Sequence, residues 1–351
     1  MILHVGHLDK FIPPFVRFIE DNFEAKRHQF WLKIADERFN LDACSRIEIV
    51  GQTRNFWRRV LIYGKLLWKL HQAEKVILHS LLNNNLVVVI SFFPWLLPKC
   101  YWVIWGGDLY EYQDRRVGLN RNLRELFRRF FIRRVGHLVS YIKGDVELAR
   151  QWYGAKGTHH ECIMYLSNVI DPKMTWETSP NPDHDGLNIL LGNSADPSNN
   201  HIEALERLLP FKDQNIKIFA PLSYGDQNHA KKVVTQGKEW FGNKFVPMTD
   251  FMPFEQYLEF LETLDIAIFN HRRQQAMGNT ITLLGMGKTV FIRSDVSHWR
   301  FLNGLGIKLN DVESIELCRI APDEAEGNAR VVRSYFSKAT LIKQLTDIFE
   351  G

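Results

Sequence analysis

The chain has 351 residues and a formal net charge of +4, and 45% of its residues are hydrophobic against 24% charged. Because one hydrophobic core rarely organises so many residues, we expect two globular domains, and the composition excludes a disordered or fibrous protein. Four cysteines lie far apart without a CxxC pair. The sequence therefore predicts neither a disulfide framework nor a zinc site with closely spaced ligands.

Short segments rich in β-forming residues alternate with helical patterns along the first half of the chain. This alternation predicts a parallel sheet covered by helices. The N-terminus has no basic region ahead of its short apolar stretch, so it reads as a first strand and not a signal peptide, and we do not expect export. The predicted strands are ILHV from residue 2, QFWLKIA from 29, IEIV from 47, VILH from 76, CYWVIW from 100 and HLVSYI from 137.

Two segments of the first half combine basic residues with aromatic and aliphatic ones. Residues 115–134 carry eight arginines against one acid, and residues 53–70 carry five basic residues and no acid. Both have the period of an amphipathic helix, which either packs its apolar side on the core or lies on an anionic membrane surface. Nucleic-acid phosphates would attract the same charges, but no recognised nucleic-acid motif is present, and we predict no such partner. The longest apolar run, residues 86–98, is too short to cross a bilayer.

The second half repeats the alternation and predicts a second α/β domain. Its predicted strands are LNILLG from residue 187, NIKIFA from 215, KFVPM from 244, DIAIFN from 265 and TVFIR from 289. Residues 171–186 contain three prolines and no apolar period, which is typical of a linker. We predict a first domain over 1–170, a second over 187–330, and a C-terminal helix over 331–351 that packs back near the interdomain region. Two such domains leave a cleft at the carboxyl ends of their strands, where open sheets bind ligands.

The loop after the strand at 187 combines a glycine turn with a predicted helix start. Gly192 allows a tight turn, and Ser198 or Asn199 is a candidate cap for the helix that follows. Free N–H groups at a helix start, together with the helix dipole, favour a phosphate. The alternative is a purely structural turn.

Two further loops lie at the same predicted edge of the second sheet. HRRQQAMG precedes a helix predicted to start near Gly278, and Arg272 or Arg273 is suited to neutralise a diphosphate. Ser223 and Tyr224 follow the strand at 215. Helix N-termini, an arginine and a stacking aromatic ring together favour a nucleotide diphosphate, and the alternative is an exposed basic loop.

Four motifs of this chain resemble those of a known family: WGGDLYE from residue 105, LLGNSADPSNNHIEAL from 190, APLSY from 220 and RRQQAMGNT from 272. Their order and spacing resemble the bacterial TDP-4-acetamido-4,6-dideoxygalactose (Fuc4NAc) transferases of enterobacterial common antigen synthesis, glycosyltransferase family 56. The resemblance implies the GT-B fold, an α/β architecture of two Rossmann-like domains with parallel sheets facing across a cleft.

The resemblance also implies a reaction and its site. An amino-deoxy sugar would pass from a dTDP-sugar donor, bound mainly by the second domain, to a polyprenyl-diphosphate-linked saccharide. The protein would be peripheral on the anionic cytoplasmic face of the bacterial inner membrane. Motif positions that would face the donor are Gly192, Asn193, Ser194, Tyr224, Arg273, Gln274, Gln275, Gly278 and Thr280. From the same loops we add Ser223, Arg272 and Asn279.

Glycosyl transfer needs a stabilised leaving diphosphate and a base for the acceptor hydroxyl. Oriented N–H groups and an arginine can stabilise the diphosphate, so we predict neither a metal nor a cofactor. Asp108, directly after the strand CYWVIW, is the first candidate base, and Asp9, after the first strand, is the second. The alternative role of Asp108 is to cap the helix that follows it.

Two other functions suit the same pair of domains. A sugar-nucleotide epimerase would need several acids and a histidine in the cleft. A non-catalytic nucleotide-sugar-binding protein at the membrane surface would bind the donor without turnover.

Overall fold

The computed structural model describes residues 1–34, 41, 45–51, 53–113, 119–170 and 184–351. The chain divides into two compact units. Domain 1 comprises Met1–Val169 together with Lys338–Gly351, and domain 2 comprises Ile170–Ser337. Most of the predicted linker, residues 171–183, lies outside the described residues.

Domain 1 is built on a seven-stranded sheet with the order β3-β2-β1-β4-β5-β6-β7, and all of its strand pairs are parallel. The strands are β1 (Ile2–Leu8), β2 (His28–Ile34), β3 (Ile47–Val50), β4 (Lys75–His79), β5 (Cys100–Val103), β6 (His137–Val139) and β7 (Thr158–His160). The helices are α1 (Ile12–Asn22), α2 (Phe56–Gln72), α3 (Asn84–Ser91), α4 (Gly106–Leu109), α5 (Leu119–Arg134), α6 (Lys143–Tyr153) and the C-terminal α13 (Lys338–Glu350). The strand order reverses between β1 and β4, which is the point where open sheets bind ligands.

Domain 2 is built on a six-stranded parallel sheet with the order β10-β9-β8-β11-β12-β13. The strands are β8 (Leu187–Leu191), β9 (Ile216–Pro221), β10 (Phe245–Met248), β11 (Ile266–Phe269), β12 (Thr289–Ile292) and β13 (Asn310–Asp311). The helices are α7 (His201–Leu208), α8 (Gln227–Phe241), α9 (Phe254–Glu262), α10 (Met277–Gly285), α11 (Ser297–Gly304) and α12 (Pro322–Tyr335). Here the order reverses between β8 and β11, so the loops after these two strands flank the expected ligand position.

All eleven predicted strands form, and most of their apolar residues are buried. The prediction missed β7 and β13, edge strands of three and two residues that are too short to show a period. The single helix predicted over 331–351 is wrong in its bounds. Its residues belong to two helices, α12 and α13, because the buried Phe336 leaves the helical conformation between them. α13 joins domain 1, where the ammonium group of Lys75 donates to the carbonyl oxygen of Ile348 at 2.8 Å.

Helix α2 leaves most of its apolar side chains in solvent. Only Leu66 and Leu70 are fully buried, whereas Trp57 is 72% exposed and Trp68 63%. Core packing, one of the two interpretations of this segment, therefore accounts for only part of the helix. Of the other basic segment, residues 119–134 form α5, and residues 115–118 lie outside the described part of the chain.

Candidate active site

Three loops of domain 2 meet at the side chain of Asn193. They follow β8, β9 and β11, which are neighbours in the sheet. The Asn193 side-chain oxygen accepts a hydrogen bond from the Gln275 amide at 3.3 Å and lies 3.2 Å from Nε2 of His271. The Tyr224 hydroxyl is hydrogen-bonded to the same side chain. The structure thus brings together the residues that the sequence placed in three separate loops.

Gly192 is required by the turn that begins this site. Its φ is +71°, and a Cβ atom there would stand 2.6 Å from Nε2 of His201 and 2.7 Å from the side-chain oxygen of Asn199. Both the left-handed backbone and the close contacts exclude a side chain. The turn therefore holds the following N–H groups at the carboxyl end of β8.

Asn199 does not cap a helix, which corrects one expectation. Its side-chain oxygen folds back and accepts from the backbone N–H of Asn193 at 2.9 Å. Helix α7 begins instead after Asn200, whose φ is +50°, and has no side-chain cap. Ser198 is not a cap either, because it lies within the short turn 197–199 and its N–H is bound by Asp196.

His271 is a site residue that the sequence did not reveal. It is buried, and its Nε2 lies 2.9 Å from the side-chain oxygen of Asn199 and 3.2 Å from that of Asn193. Since both neighbours are acceptors, Nε2 carries the proton. Burial holds the pKa of His271 well below its ordinary value, so the ring is neutral. No spacing in the sequence distinguishes it from other histidines; only its place at a strand end singles it out.

The two candidate arginines of the β11 loop have different surroundings. The Arg272 side chain is 67% exposed and forms an ion pair with Glu203 at 2.9 Å. Arg273 is half-buried, and its guanidinium lies 3.4 Å from the Ser198 hydroxyl, which in turn donates to the Gln275 side-chain oxygen at 2.8 Å. Of the two, Arg273 is next to the loops that meet at Asn193.

Helix α10 begins one residue before the predicted start, at Met277, and no side chain caps its first turn. Its N-cap, Ala276, has a φ of +58°. The first N–H groups of such a helix have no partner within the helix and are suited to an anion.

The remaining predicted residues of domain 2 form two groups: residues that are partly exposed at the edge of the sheet, and residues whose side chains make hydrogen bonds within the domain. Ser223, Gln274 and Gly278 are half-buried at the edge of the sheet. Thr280 is fully buried and its hydroxyl donates to Ala276, while the Asn279 amide donates to the Tyr257 hydroxyl at 2.8 Å. The Ser194 hydroxyl accepts hydrogen bonds within its own loop. The side chains of this second group stabilise the loops from within.

Asp108, the first candidate base, lies inside domain 1. Its Oδ2 accepts from the N–H of Leu81 at 2.7 Å and from the indole N–H of Trp102 at 2.8 Å, and its Oδ1 accepts from the N–H of Trp105 at 2.8 Å. Burial raises the pKa of Asp108 to about 6, against the opposing effect of the Arg128 charge. The bond to Trp105 closes the first turn of α4 from within, because Asp108 is the third residue of this helix and Trp105 is its N-cap. Asp108 therefore does not cap a helix that follows it, which corrects that alternative, but it does pair the N–H at the start of its own helix.

Arg128, in the basic segment over residues 115–134, is buried inside domain 1 and does not lie at the surface of α5. Its side chain is 2% exposed. The guanidinium donates to the carbonyl oxygens of Leu81 at 3.0 Å and Asp108 at 2.6 Å, and forms an ion pair with Glu111 at 3.1 Å. Hydrogen bonds in which the donor is charged are about twice as strong as those between neutral groups.

Asp9, the second candidate base, is half-buried directly after β1. Its Oδ1 accepts from the N–H of Phe11 at 2.9 Å. Burial raises the pKa of Asp9 to about 6, although hydrogen bonds from Phe11 and Ile12 and the charge of Lys10 oppose the shift. A carboxylate that titrates near 6 is ionised at neutral pH and can still accept a proton, as a general base must.

Among the described residues, no three His, Cys, Asp or Glu side chains come together as a set of metal ligands. In the same part of the chain, no helix is both long enough and apolar enough to cross a membrane.

Comparison with known proteins identifies the family. The model of the family described as "4-alpha-L-fucosyltransferase glycosyl transferase group 56" matches residues 14–313. HepE from Anabaena, solved with UDP and glucose, is similar at a TM-score of 0.70 and 11% identity, over 100% of this chain and 99% of that one. Sucrose-phosphate synthase from Thermosynechococcus elongatus is similar at a TM-score of 0.69 and 10% identity, over 100% of this chain and 98% of that one. WaaG, a glycosyltransferase involved in lipopolysaccharide biosynthesis, is similar at a TM-score of 0.63 and 12% identity, over 100% of both chains.

These structural likenesses, at low identity, speak for the fold alone, and they confirm the predicted GT-B architecture of two Rossmann-like domains. The family match covers most of the chain, including all four motifs in full and the loops that meet at Asn193. The chain belongs to glycosyltransferase family 56 and is a glycosyltransferase.

Proposed function

We propose that the protein transfers a 4-acetamido-4,6-dideoxygalactose-like sugar from a dTDP-linked donor to a polyprenyl-diphosphate-linked saccharide in bacterial surface polysaccharide synthesis. The observation that carries this proposal is the meeting of three strand-end loops at Asn193, with Arg273 beside them. The family description names a fucosyltransferase, and fucose is also a 6-deoxygalactose. HepE has been solved with UDP-glucose, which supports a nucleotide sugar as the donor of this fold.

In this proposal the donor diphosphate lies against the turn at Gly192 and the start of α10. The N–H groups of Gly192 and Asn193 are bound within domain 2 by Ile268 and Asn199, so the turn at Gly192 shapes the site rather than donating to it. N–H groups at the start of α10, together with the guanidinium of Arg273, stabilise the negative charge that grows on the leaving diphosphate. Preorganised donors of this kind contribute about 3–4 kcal/mol each to a transition state. The reaction then proceeds without a metal.

Of the two candidate bases in domain 1, Asp108 and Asp9, we assign the role of general base to Asp9. It is half-buried rather than enclosed, and it follows β1 at the point where the strand order reverses. During transfer the acceptor hydroxyl gives its proton to Asp9 while its oxygen bonds to the anomeric carbon and the dTDP leaves. Asp108 holds the loop after β4 through Leu81.

The acceptor side fits a membrane surface. Large apolar side chains of α2, α5 and the segment between α3 and β5 are exposed to solvent. We call them the apolar face of domain 1; they are Phe56, Trp57, Val60, Leu61, Trp68, Phe92, Trp95, Leu123 and Leu126. The indole of Trp95 donates to His71 of α2, and Phe92 contacts Phe127 of α5, so the three parts are contiguous. Exposed Arg58 and Arg59 adjoin them. Aromatic and basic side chains together suit the headgroup region of an anionic bilayer, so we place the protein on the inner membrane.

A nucleotide titration followed by a transfer assay tests the proposal. We expect dTDP to bind more tightly than UDP or GDP, and a dTDP-amino-deoxy sugar incubated with bacterial membrane lipid to give a product heavier by one sugar residue. Formation of an isomeric donor without acceptor would indicate an epimerase instead. Tight donor binding with no product from any acceptor would indicate a non-catalytic binding protein.

A further inference from the structure

Three aromatic side chains cluster beside Asp9 at the carboxyl edge of the first sheet. The rings of Phe11 and Trp105 are 5.3 Å apart, those of Phe11 and Tyr165 5.5 Å, and those of Trp105 and Tyr165 5.7 Å. Phe11 and Trp105 are half-buried and keep part of their surface in solvent. We call Phe11, Trp105 and Tyr165 the aromatic ledge.

Behind the ledge runs a chain of three buried histidines from three neighbouring strands. Nδ1 of His28 lies 2.9 Å from Nε2 of His4, Nδ1 of His4 lies 3.1 Å from Nε2 of His79, and Nδ1 of His79 lies 2.8 Å from the Tyr165 hydroxyl. The indole N–H of Trp105 donates to the same hydroxyl at 3.2 Å. The chain therefore ends on the ledge.

The register explains how the histidines meet. His28 pairs with Ile2 and His79 pairs with Gly6, so each lies two residues from the level of His4 along the strands. Residues two apart share one face of a sheet, and side chains on diagonal positions of adjacent strands are within reach. The three rings thus cross the sheet obliquely and end at the edge where ligands bind.

Both ends of the last hydrogen bond adjoin unusual backbone. Ser80, next to His79, has a φ of +76°, and Met164, next to Tyr165, has a φ of +59°. Such conformations cost about 1–3 kcal/mol for residues other than glycine and concentrate at functional sites. The chain after Ser80 is held by Asp108, which binds the N–H of Leu81, and by Arg128, which binds its carbonyl oxygen.

A core without function would fill these positions with apolar side chains, because a buried polar chain is costly unless every member is paired. Here the pairing is continuous and fixes the direction of two ring systems at once. Burial holds the pKa of His79 at about 3 and that of His28 at about 4, so the rings stay neutral and serve as hydrogen-bond partners. The chain gives the half-exposed face of Trp105 one defined orientation beside Asp9.

We propose that the aromatic ledge is the subsite for the acceptor sugar ring, with Phe11 and Trp105 in contact with the sugar, and that His4 and His79 are positioning residues that act through Tyr165. The inference rests on the proposed function, since the aromatic ledge would bind the acceptor sugar whose hydroxyl group Asp9 deprotonates. Aromatic walls with a few fixed polar groups are the usual lining of a small-molecule site.

Titration of the full-length protein with two probes tests the ledge. The probes are farnesyl-diphosphate-linked N-acetylglucosamine and farnesyl diphosphate alone, so that the difference in affinity isolates the sugar. We expect the wild type to bind the sugar-bearing probe at least about tenfold more tightly, which corresponds to about 1.4 kcal/mol. Trp105→Ala should abolish that difference, and Trp105→Phe, which keeps a ring, should retain part of it. Trp152→Phe, a half-buried tryptophan of the same domain that stacks on Tyr112, is the matched control.

The positioning role has its own readout. We expect Tyr165→Phe to raise the KM for the lipid acceptor by about tenfold while the KM for the sugar nucleotide stays within about twofold. If Tyr165 had only a structural role, Tyr165→Phe would lower the melting temperature and leave the ratio of the two KM values unchanged.

Equal affinity of the wild type for both probes overturns the ledge, and so does an intact difference in Trp105→Ala. A parallel dTDP titration keeps the two proposals apart. If the wild type does not prefer dTDP over the other nucleotides, the proposed donor is wrong. If it prefers dTDP but binds the probes with and without the sugar equally tightly, only the aromatic ledge is wrong.

Discussion

Asp108 and Arg128 bind the two sides of one peptide residue, Leu81. The Asp108 carboxylate accepts from its N–H at 2.7 Å, and the Arg128 guanidinium donates to its carbonyl oxygen at 3.0 Å. The two charged groups are also linked, because Arg128 donates to the carbonyl oxygen of Asp108. The glycines and the aspartate that follow β5 thus serve to fix the loop after β4, next to the strained backbone of Ser80.

Replacement of Asp108 by asparagine separates a structural from a catalytic role. The amide N–H₂ of Asp108→Asn would face the N–H donors of Leu81, Trp102 or Trp105, leaving at least one of them unpaired. We expect the free energy of unfolding to fall by about 1–3 kcal/mol, with turnover retained by the folded fraction. Thermal unfolding and activity are measured on the same sample. An unchanged melting temperature with no turnover would return the base assignment to Asp108.

Asp9 should govern the acidic limb of the pH–rate profile. Its pKa is raised to about 6, and a base must be ionised, so kcat/KM should rise with pH through a midpoint near 6. Asp9→Asn should lower kcat by about 10²–10⁴-fold with the melting temperature preserved, because it removes a half-buried charge. A profile that keeps its midpoint in Asp9→Asn would show that another group accepts the proton.

The fold was predictable because alternating apolar runs and helical periods are local properties. The strand DIAIFN and the donor-rich loop HRRQQAMG could be read directly from the sequence, and both lie where expected. Convergence of the loops followed from a general property of parallel sheets, in which all strands end at one edge.

The contacts within the sites were not predictable, because they depend on tertiary pairing. His4 bonds to residues 24 and 75 positions away, and no periodicity connects them. Arg128 has the same sequence surroundings as its solvated neighbours on α5, yet it alone among the described arginines of that helix is fully buried. Asn199 was placed in the right loop, but its fold-back onto Asn193 required the observed turn.

Arg273 and Arg272 should differ in their contribution to donor binding. Arg273 adjoins Ser198, whereas Arg272 is committed to Glu203 on the exposed side of the loop. We expect Arg273→Ala to weaken dTDP binding by about tenfold to a hundredfold, the range of a charge-assisted hydrogen bond, and Arg272→Ala by less than about threefold. Calorimetric titration of both variants provides the measurement. Equal losses would contradict the assignment of the diphosphate to Arg273.

Binding to vesicles tests the apolar face of domain 1. Trp57 and Trp68 are 72% and 63% exposed, and burial of such a side chain in the headgroup region is worth about 1.5–3 kcal/mol. Trp57→Glu and Trp68→Glu should each weaken binding to phosphatidylglycerol vesicles by at least about tenfold. Phe251→Glu, at a 71% exposed position of domain 2, is the matched control and should not change it. Loss of vesicle binding in the control alone would place the membrane contact on domain 2.

Acidification should destabilise domain 1 through its histidine chain. Burial lowers the pKa of His79 to about 3, that of His28 to about 4 and that of His4 well below 6.5, the ordinary value that the unfolded chain has. Between pH 6.5 and about 4 the unfolded state therefore binds more protons, so stability rises with pH and is lost as the pH falls through this window. A fully shifted histidine contributes about 1.4 kcal/mol per pH unit, which the raised pKa values of Asp9 and Asp108, both about 6, partly offset.

The slope of unfolding free energy against pH isolates this effect from any constant loss of stability. We expect His4→Leu to be less stable at every pH but to show a slope smaller by about one proton, since the central titrating ring is gone. An unchanged slope in His4→Leu would mean that His4 binds its proton equally in the folded and unfolded states, in conflict with a ring held neutral between His28 and His79.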